Sequence, residues 1–458
     1  MSYPKELNYG AMKPASVSSR PIIQRFRADL QSYGPGDVAR IEIPTSAATT
    51  HLFPSDTFLE GKLNVTTSNV ATSFIDGNIY SCFQRMSIYH GSNLLEVQYN
   101  CGRLWHVLND CQRGWSDRAE DSVSKCAGSS LSSGPPTVTT GAAIPGANEV
   151  LITTSNHNNA SYLGTLTGRS LIQNGASSYD FCFQLPSALF GSMATKAIPL
   201  GACSASSFYI ELEIASKENM FVEQGGATVF TLCTISDLVL NTKVAQLPAD
   251  VNNALMSSVQ NNIILPATSW KVEQKTCVAA SASFNDKFAF QLSSVNAFLF
   301  WFQNTAAQNV TTHRSMTSRP GHKVQDYQLN INGDAYPTDV VRTRSRFMQE
   351  LQRAFDNIGS IKGGSGILDA QLYSDADTSE ADRDLGTIAI PHKRSVYGLD
   401  LNRFNNTQDT LLSGTSTMGQ SINLIINKTA VNATANLYGA VMYDVIYTIQ
   451  DGQMTANT

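Results

Sequence analysis

Charge is scarce in this 458-residue chain: Asp, Glu, Lys and Arg together make up 15% of it, and the formal net charge is −5. A body so weakly charged has no strong field with which to gather a polyanion, so no specific nucleic-acid partner is expected. Long apolar runs are missing too. No stretch reaches the ~18 apolar residues that a membrane helix needs, and the opening MSYPKELNYGAMKPASV has no apolar core of a secretory signal. The expectation is a soluble product of a cytosol or nucleus.

Reactive constellations are equally scarce. The eight cysteines, at 82, 101, 111, 126, 182, 203, 233 and 277, include no CxxC pair and read as small buried hydrophobes. The seven histidines, at 51, 90, 106, 157, 313, 322 and 392, show no HExxH spacing, so no metal ligand is nominated. DADTSEADRD at 375–384 is rich in oxygen ligands but lacks the Gly and Glu of a calcium loop. KGGSG at 362–366 has no Lys-Ser/Thr pair after it, and GGSGI lacks the last Gly of a nucleophile elbow. No catalytic, cofactor-binding or metal residue follows from the sequence, and no enzyme is expected.

What is present is sheet-forming material joined by polar turns. The 20 Phe and 16 Tyr argue against disorder, which carries few aromatics and high charge. DVARIEIPTS alternates Val38, Arg40 and Glu42 against Ala39, Ile41 and Ile43, and SSFYIELEIAS alternates Phe208, Ile210, Leu212 and Ile214 against Tyr209, Glu211 and Glu213. Both patterns have the two-residue period of a strand with one buried face. The last long run, ATANLYGAVMYDVIYTIQDG, is apolar on both faces, as a central strand needs. The final eight residues read as loose.

Two stretches break the strand period. In GRLWHVLN, over 102–109, Leu104, Trp105 and Leu108 lie on one side of a helix. Over 345–358, Phe347, Met348, Leu351, Ala354, Phe355 and Ile358 form a clearer i, i+3, i+4 stripe. Each helix follows a strand and a turn: from Met86 to Asn109 in the first half a strand, a Gly and Asn turn, a short linking stretch and the helix, and in the second Tyr327–Ile331, a turn over Asn332–Pro337 and the helix. Two units with one order of elements suggest tandem copies of a fold. The expected layout is an N-terminal arm over 1–28, a first unit over 29–250 with a long loop at about 114–159, and a second unit over 251–458 with a helix at about 345–358 and a loop at about 363–384.

The segment YHGSNLLEVQYNCGRLWHVLNDC, Tyr89 to Cys111, offers two carboxylates, Glu96 and Asp110, and two histidines, His90 and His106. Nothing in a strand-turn-helix layout sets the two acids together, and Trp105 gives the helix a packing face. The segment therefore reads as architecture. The aromatic cluster of Phe298, Phe300, Trp301 and Phe302 reads likewise as a core strand or a seam between the units.

With two strand-rich units and a helix in each, the sequence resembles the double jelly-roll major capsid proteins of icosahedral DNA viruses, the hexon-like lineage. IYHGSNLLEVQYNCGRLWHVLND and VYGLDLNRFNNTQDTLLSGTSTMGQSINLIINKTA carry the resemblance. It implies an all-β fold of two tandem jelly-roll β-sandwich domains with short inserted helices. It implies a structural role in the virion: a homotrimer forms a pseudo-hexagonal capsomer, and capsomers tile the capsid shell. The implied partners are neighbouring capsomers, penton or minor capsid proteins, or an internal membrane, with no cofactor. The basic residues Lys5, Lys13, Arg20, Arg25 and Arg27 are the candidate base contacts, and Trp105, Phe347, Leu351 and Phe355 the candidate structural anchors. The alternative class is a two-domain β-sandwich carbohydrate-binding or adhesion protein, which would show a cluster of exposed aromatics beside Asp, Asn or Gln.

Overall fold

Alternation decides many of the elements. In the computed structural model Ala39, Ile41 and Ile43 are buried and Val38, Arg40 and Glu42 exposed, and Phe208, Ile210, Leu212 and Ile214 are buried in their strand. The structure describes residues 19–45, 49–68, 73–112, 124–125, 171–172, 175–194, 196–223, 229–258, 263–278, 281–305, 316, 319–322, 324–355, 395–402, 414–428 and 434–458. Of the two long loops expected from the sequence, only Ser124 and Lys125 lie among them.

The first unit contains β1 (Arg20–Arg27), β2 (Ser32–Tyr33), β3 (Val38–Ile43), β4 (Thr50–Ser68), β5 (Ser73–Ile75), β6 (Phe83–His90), β7 (Asn93–Tyr99), β8 (Leu171–Ile172), β9 (Gly175–Gln184), β10 (Ile198–Pro199), β11 (Phe208–Ile214), β12 (Phe221–Glu223) and β13 (Val229–Gln246). The second contains β14 (Ile263–Cys277), β15 (Ser283–Phe288), β16 (Val295–Asn304), β17 (Val324–Ile331), β18 (Asp334–Val341), β19 (Tyr397–Asp400), β20 (Ile422–Lys428), β21 (Ala435–Gln450) and β22 (Gln453–Asn457). Among the described residues the α-helices are α1 (Cys101–Gln112), α2 (Lys217–Met220), α3 (Ala249–Ser258) and α4 (Arg344–Ala354).

Once the short strands are set aside, both units share one wiring. In the first, β1-β13-β4-β9 form one sheet and β3-β11-β6-β7 the other. In the second, the sheets are β14-β21-β16-β19 and β15-β20-β17-β18. Each unit thus orders its eight strands first-last-third-sixth and second-seventh-fourth-fifth, with every pair antiparallel. This is the jelly-roll order, and two such sandwiches in tandem give the all-β class expected. Helices α1 and α4 occupy the same place, between the fifth and sixth strands.

Several expectations are corrected. Arg20, Arg25 and Arg27 do not sit on an arm: β1 pairs along its whole length with β13, from Arg20↔Gln246 to Arg27↔Val239, and is the first strand of the first sandwich. Its charges hid a half-buried face of Ile22, Gln24 and Phe26. Lys5 and Lys13 lie outside the described residues. The stretches taken as a link and a turn before the helices are strands, β7 and β18. The second escaped because an edge strand exposed on both faces tolerates Pro337 and shows no alternation. Its hairpin closes at Asn332-Gly333, both at positive φ (56° and 93°), the combination a two-residue turn requires. The final residues are not loose either, since β22 pairs with β21. Ile79–Cys82 form a 3-10 turn capped by Asn78.

Each sandwich has an aromatic core. In the first, Phe183 contacts Tyr80 (ring centroids 5.1 Å apart), Phe83 (5.8 Å) and Trp105 (6.1 Å). In the second, Phe300 stacks on Tyr397 at 4.8 Å and meets Tyr327 edge-on at 5.1 Å. Phe347 reaches the same group, 5.2 Å from Tyr327, and Phe355 lies 6.1 Å from Trp270. Leu351 is buried against Gly398. The stripe predicted for this helix is therefore its buried face, with Ile358 outside the described residues.

Candidate functional site, the seam between the two sandwiches

Residues Cys101–Cys111 of α1 are all buried, although they include Arg103, His106, Asn109 and Asp110. Such a helix is tolerable only if its polar groups find partners, because an unpaired buried charge or amide is costly. For Arg103 and Asp110 partners come from the second sandwich. The Arg103 Nε donates to Gln303 Oε1 at 2.8 Å, and its guanidinium lies 5.5 Å from the Tyr438 ring, which is itself stacked on Trp301 at 5.6 Å. Asp110 accepts from the buried Arg319 guanidinium. Within the first unit, His106 Nε2 meets Ser81 Oγ at 2.9 Å. A Cβ at Gly102 would stand 2.4 Å from the Tyr80 carbonyl oxygen, so only glycine lets the helix begin this close to the 3-10 turn.

Glu96 on β7 centres a second cluster. Its carboxylate accepts from Ser187 Oγ (2.6 Å), Ala188 N (3.1 Å), Gln98 Nε2 (2.9 Å) and, across the seam, Ser269 Oγ on β14 (2.7 Å). Gln98 in turn accepts from Trp105 Nε1 at 2.8 Å, tying helix and strand together. The charge is felt on the opposite side: burial first, then the Glu96 carboxylate, pushes the Tyr443 phenol on β21 up to about 12. Burial and the same charge also raise Tyr447.

Three further hydrogen bonds close the seam. Met316 N donates to the buried Asp76 carboxylate at 2.6 Å. Beside β22, Met454 N donates to His90 Nδ1 at 3.1 Å, which leaves His90 Nε2 to donate to the Cys203 carbonyl at 3.1 Å. Asn93 Nδ2 donates to the Met454 carbonyl at 3.3 Å.

Glu96 and Asp110 thus serve separate networks, and His90 and His106 separate contacts. The arrangement holds two sandwiches together and positions no nucleophile. Among the described residues no group of three or more His, Cys, Asp or Glu is placed to hold a metal ion. Of the anchors expected from the sequence, Trp105 packs in the aromatic core of the first unit, while Phe347, Leu351 and Phe355 pack within the second. Arg20, Arg25 and Arg27 lie on β1, where Arg25 pairs with Glu60. The residues sequence reasoning missed, among them Arg103, Gln303, Ser269, Arg319 and Met454, carry no spacing that would expose a pairing across 173 to 364 positions.

No protein-family model matches the sequence, and no curated protein matches it. Solved structures do match in fold. The PBCV-1 virus capsid in its quasi-atomic model aligns with 98% of this chain and 99% of its own, at TM-score 0.60 and 10% identity. The Faustovirus major capsid protein aligns over 97% and 93%, at TM-score 0.55 and 8% identity. The mavirus major capsid protein aligns over 100% and 95%, at TM-score 0.51 and 11% identity. The shared feature is the fold, two jelly rolls in tandem, along nearly the whole chain.

Proposed function

We propose that this protein is a structural major capsid protein, building pseudo-hexagonal trimeric capsomers in the shell of an icosahedral DNA virus. The observation that carries the reading is the internal seam. The first unit covers β14, β21 and β22 of the second through Glu96, Arg103, His90 and Asn93. The counterparts in the first unit are β1, β13 and α3, and nothing else in the described chain covers them in the same way. They display Ile23 (74% exposed), Leu232 (49%), Val251 and Leu255. Scattered apolar residues are ordinary on a surface, but these four lie on the elements equivalent to a covered face.

On the other side of the molecule α4, the counterpart of α1, leaves Arg353 half in solvent. A second copy docking its β1, β13 and α3 face onto the α4 side would repeat the internal seam between chains. Such head-to-tail contacts form a ring when the rotation closes, and three copies give a ring of six sandwiches, as the resemblance implies. Arg20, Arg25 and Arg27, being on β1, belong to this contact. Neighbouring capsomers, penton or minor capsid proteins, or an internal membrane would then meet other surfaces. The capsid fold of the matched structures supports the reading. The carbohydrate-binding alternative gains nothing from the surface: the exposed large aromatics among the described residues, Phe58 and Tyr99, lie on different sheets.

Light scattering with negative-stain imaging tests the proposal. A hexagonal particle of three 49.6 kDa chains, about 149 kDa, is expected. Leu232→Glu should leave monomers. A dispersed wild-type monomer at every concentration and salt would overturn the reading.

A further inference from the structure

The turn that joins β21 to β22 is Asp451-Gly452, both at positive φ (52° and 79°), and it is pressed against the first unit. The Ala205 N–H donates to the Gly452 carbonyl at 3.1 Å, and a Cβ at Gly452 would stand 3.2 Å from the Ser204 hydroxyl. Beside this contact the packing is open. A cavity of about 340 Å³ lies where the 3-10 turn Leu200–Cys203 of the first unit, the connecting helix α3 and the second unit meet.

Its walls are of two kinds. Met256, Ile263 and Ile449 supply apolar surface, and Ser204, Asn252 and Asp451 supply polar groups. Ser204 and Asp451 are exposed, so the cavity opens to solvent on its polar side. Neither of these two side chains has a hydrogen bond or ion pair among the described residues. No lysine, arginine or histidine among those residues lines the cavity to balance the carboxylate.

A carboxylate on the rim of an apolar hollow suits a cation that carries a hydrocarbon tail. A metal ion would find a single carboxylate there, and an anionic amphiphile would be repelled by it. The size agrees, since small-molecule pockets start at roughly 300 Å³ and gather at the joints between domains.

We propose that this cavity binds small aliphatic ammonium ions, with the amine head donating to Asp451 and Ser204 and the alkyl chain lying on Met256, Ile263 and Ile449. The ligand touches both units and the helix that connects them. Binding therefore adds contacts across the joint and stabilises the native chain by mass action. This inference does not rest on the capsid reading.

The test is thermal unfolding of the full-length protein with n-hexylammonium chloride, set against methylammonium, hexanol and hexanoate at matched concentration and ionic strength. Hexylammonium is expected to raise the midpoint saturably, by about 2–4 °C, and the other three to give no such rise. Asp451→Asn suits the same turn and should weaken hexylammonium roughly tenfold. Ala202→Leu, which fills the cavity from its 3-10 turn, should abolish the response. The four probes on wild-type protein decide the matter if a variant does not fold. The proposal is overturned if hexylammonium gives no saturable shift, if any of the other three matches it, or if either variant keeps the wild-type response.

Discussion

Helices α1 and α4 stand at the same point of the same wiring, yet one is buried on all sides and the other has a wet face. Their sequences align from the third residue: Arg103 with Arg346, Leu104 with Phe347, Leu108 with Leu351, and Cys111 with Ala354. The apolar members of this series are buried in both helices, so the inward stripe is common property. The outward residues differ in circumstance. Asp110 meets Arg319 of the second sandwich, whereas among the described residues its counterpart Arg353 pairs with Glu350 one turn earlier on its own helix. A polar helical face can therefore mean solvent or a partner, and what covers it decides which.

The comparison can be broken most sharply at its outward positions. Asp110→Ala strips the partner from a buried arginine and is expected to cost about 3–5 kcal/mol, measured by urea unfolding. The matched change Arg353→Ala should cost under about 1 kcal/mol, because an exposed pair contributes little. Equal costs at the two sites would refute the contrast. The inward stripe should behave oppositely: Leu108→Ala and Leu351→Ala are each expected to lose about 2–5 kcal/mol, alike within error.

The seam itself should show an alkaline signature. Tyr443 binds its proton more tightly when folded, from an ordinary 10.0 up to about 12. Its contribution is fully present below pH 10 and is lost as pH rises toward 12, a loss of roughly 3 kcal/mol. Glu96→Gln removes the charge that helps hold the phenol up, so the loss still begins near pH 10 but ends at lower pH and is smaller; a phenolate titration followed by absorbance checks it. Ser269→Ala takes one donor from Glu96 and should cost about 1–2 kcal/mol. The smallest effect is expected at Asn93→Ala, about 1 kcal/mol or less, seen as faster hydrogen exchange over Gln453–Asn457.

How much of this was legible in the sequence follows from where solvent lies. Strands with one wet face, such as β3 and β11, print their burial as alternation. The stripe of α4 is readable for the same reason. Strand β16 is buried on both faces, with Phe300 against Tyr327 inside the sandwich and Trp301 against Tyr438 beside the seam. Its aromatic run announces burial without saying what buries it. Strand β1 looked like a charged arm because Arg20, Arg25 and Arg27 outweigh the half-buried Ile22 and Phe26. The seam was illegible for a different reason: Glu96, Arg103 and Asp110 have the composition of a solvated surface, and only the folded chain brings Ser269, Gln303 and Arg319 to them.

The seam also has a history within each molecule's folding. Its bonds join residues 173, 200, 209, 240 and 364 positions apart, and contacts so distant in sequence are slow to form. The strands around each core can pair before the joint exists, and Met454 cannot reach His90 until the second sandwich has been synthesised. Seam interactions formed after the rate-limiting step would act as a latch, leaving folding speed unchanged while slowing escape from the native state.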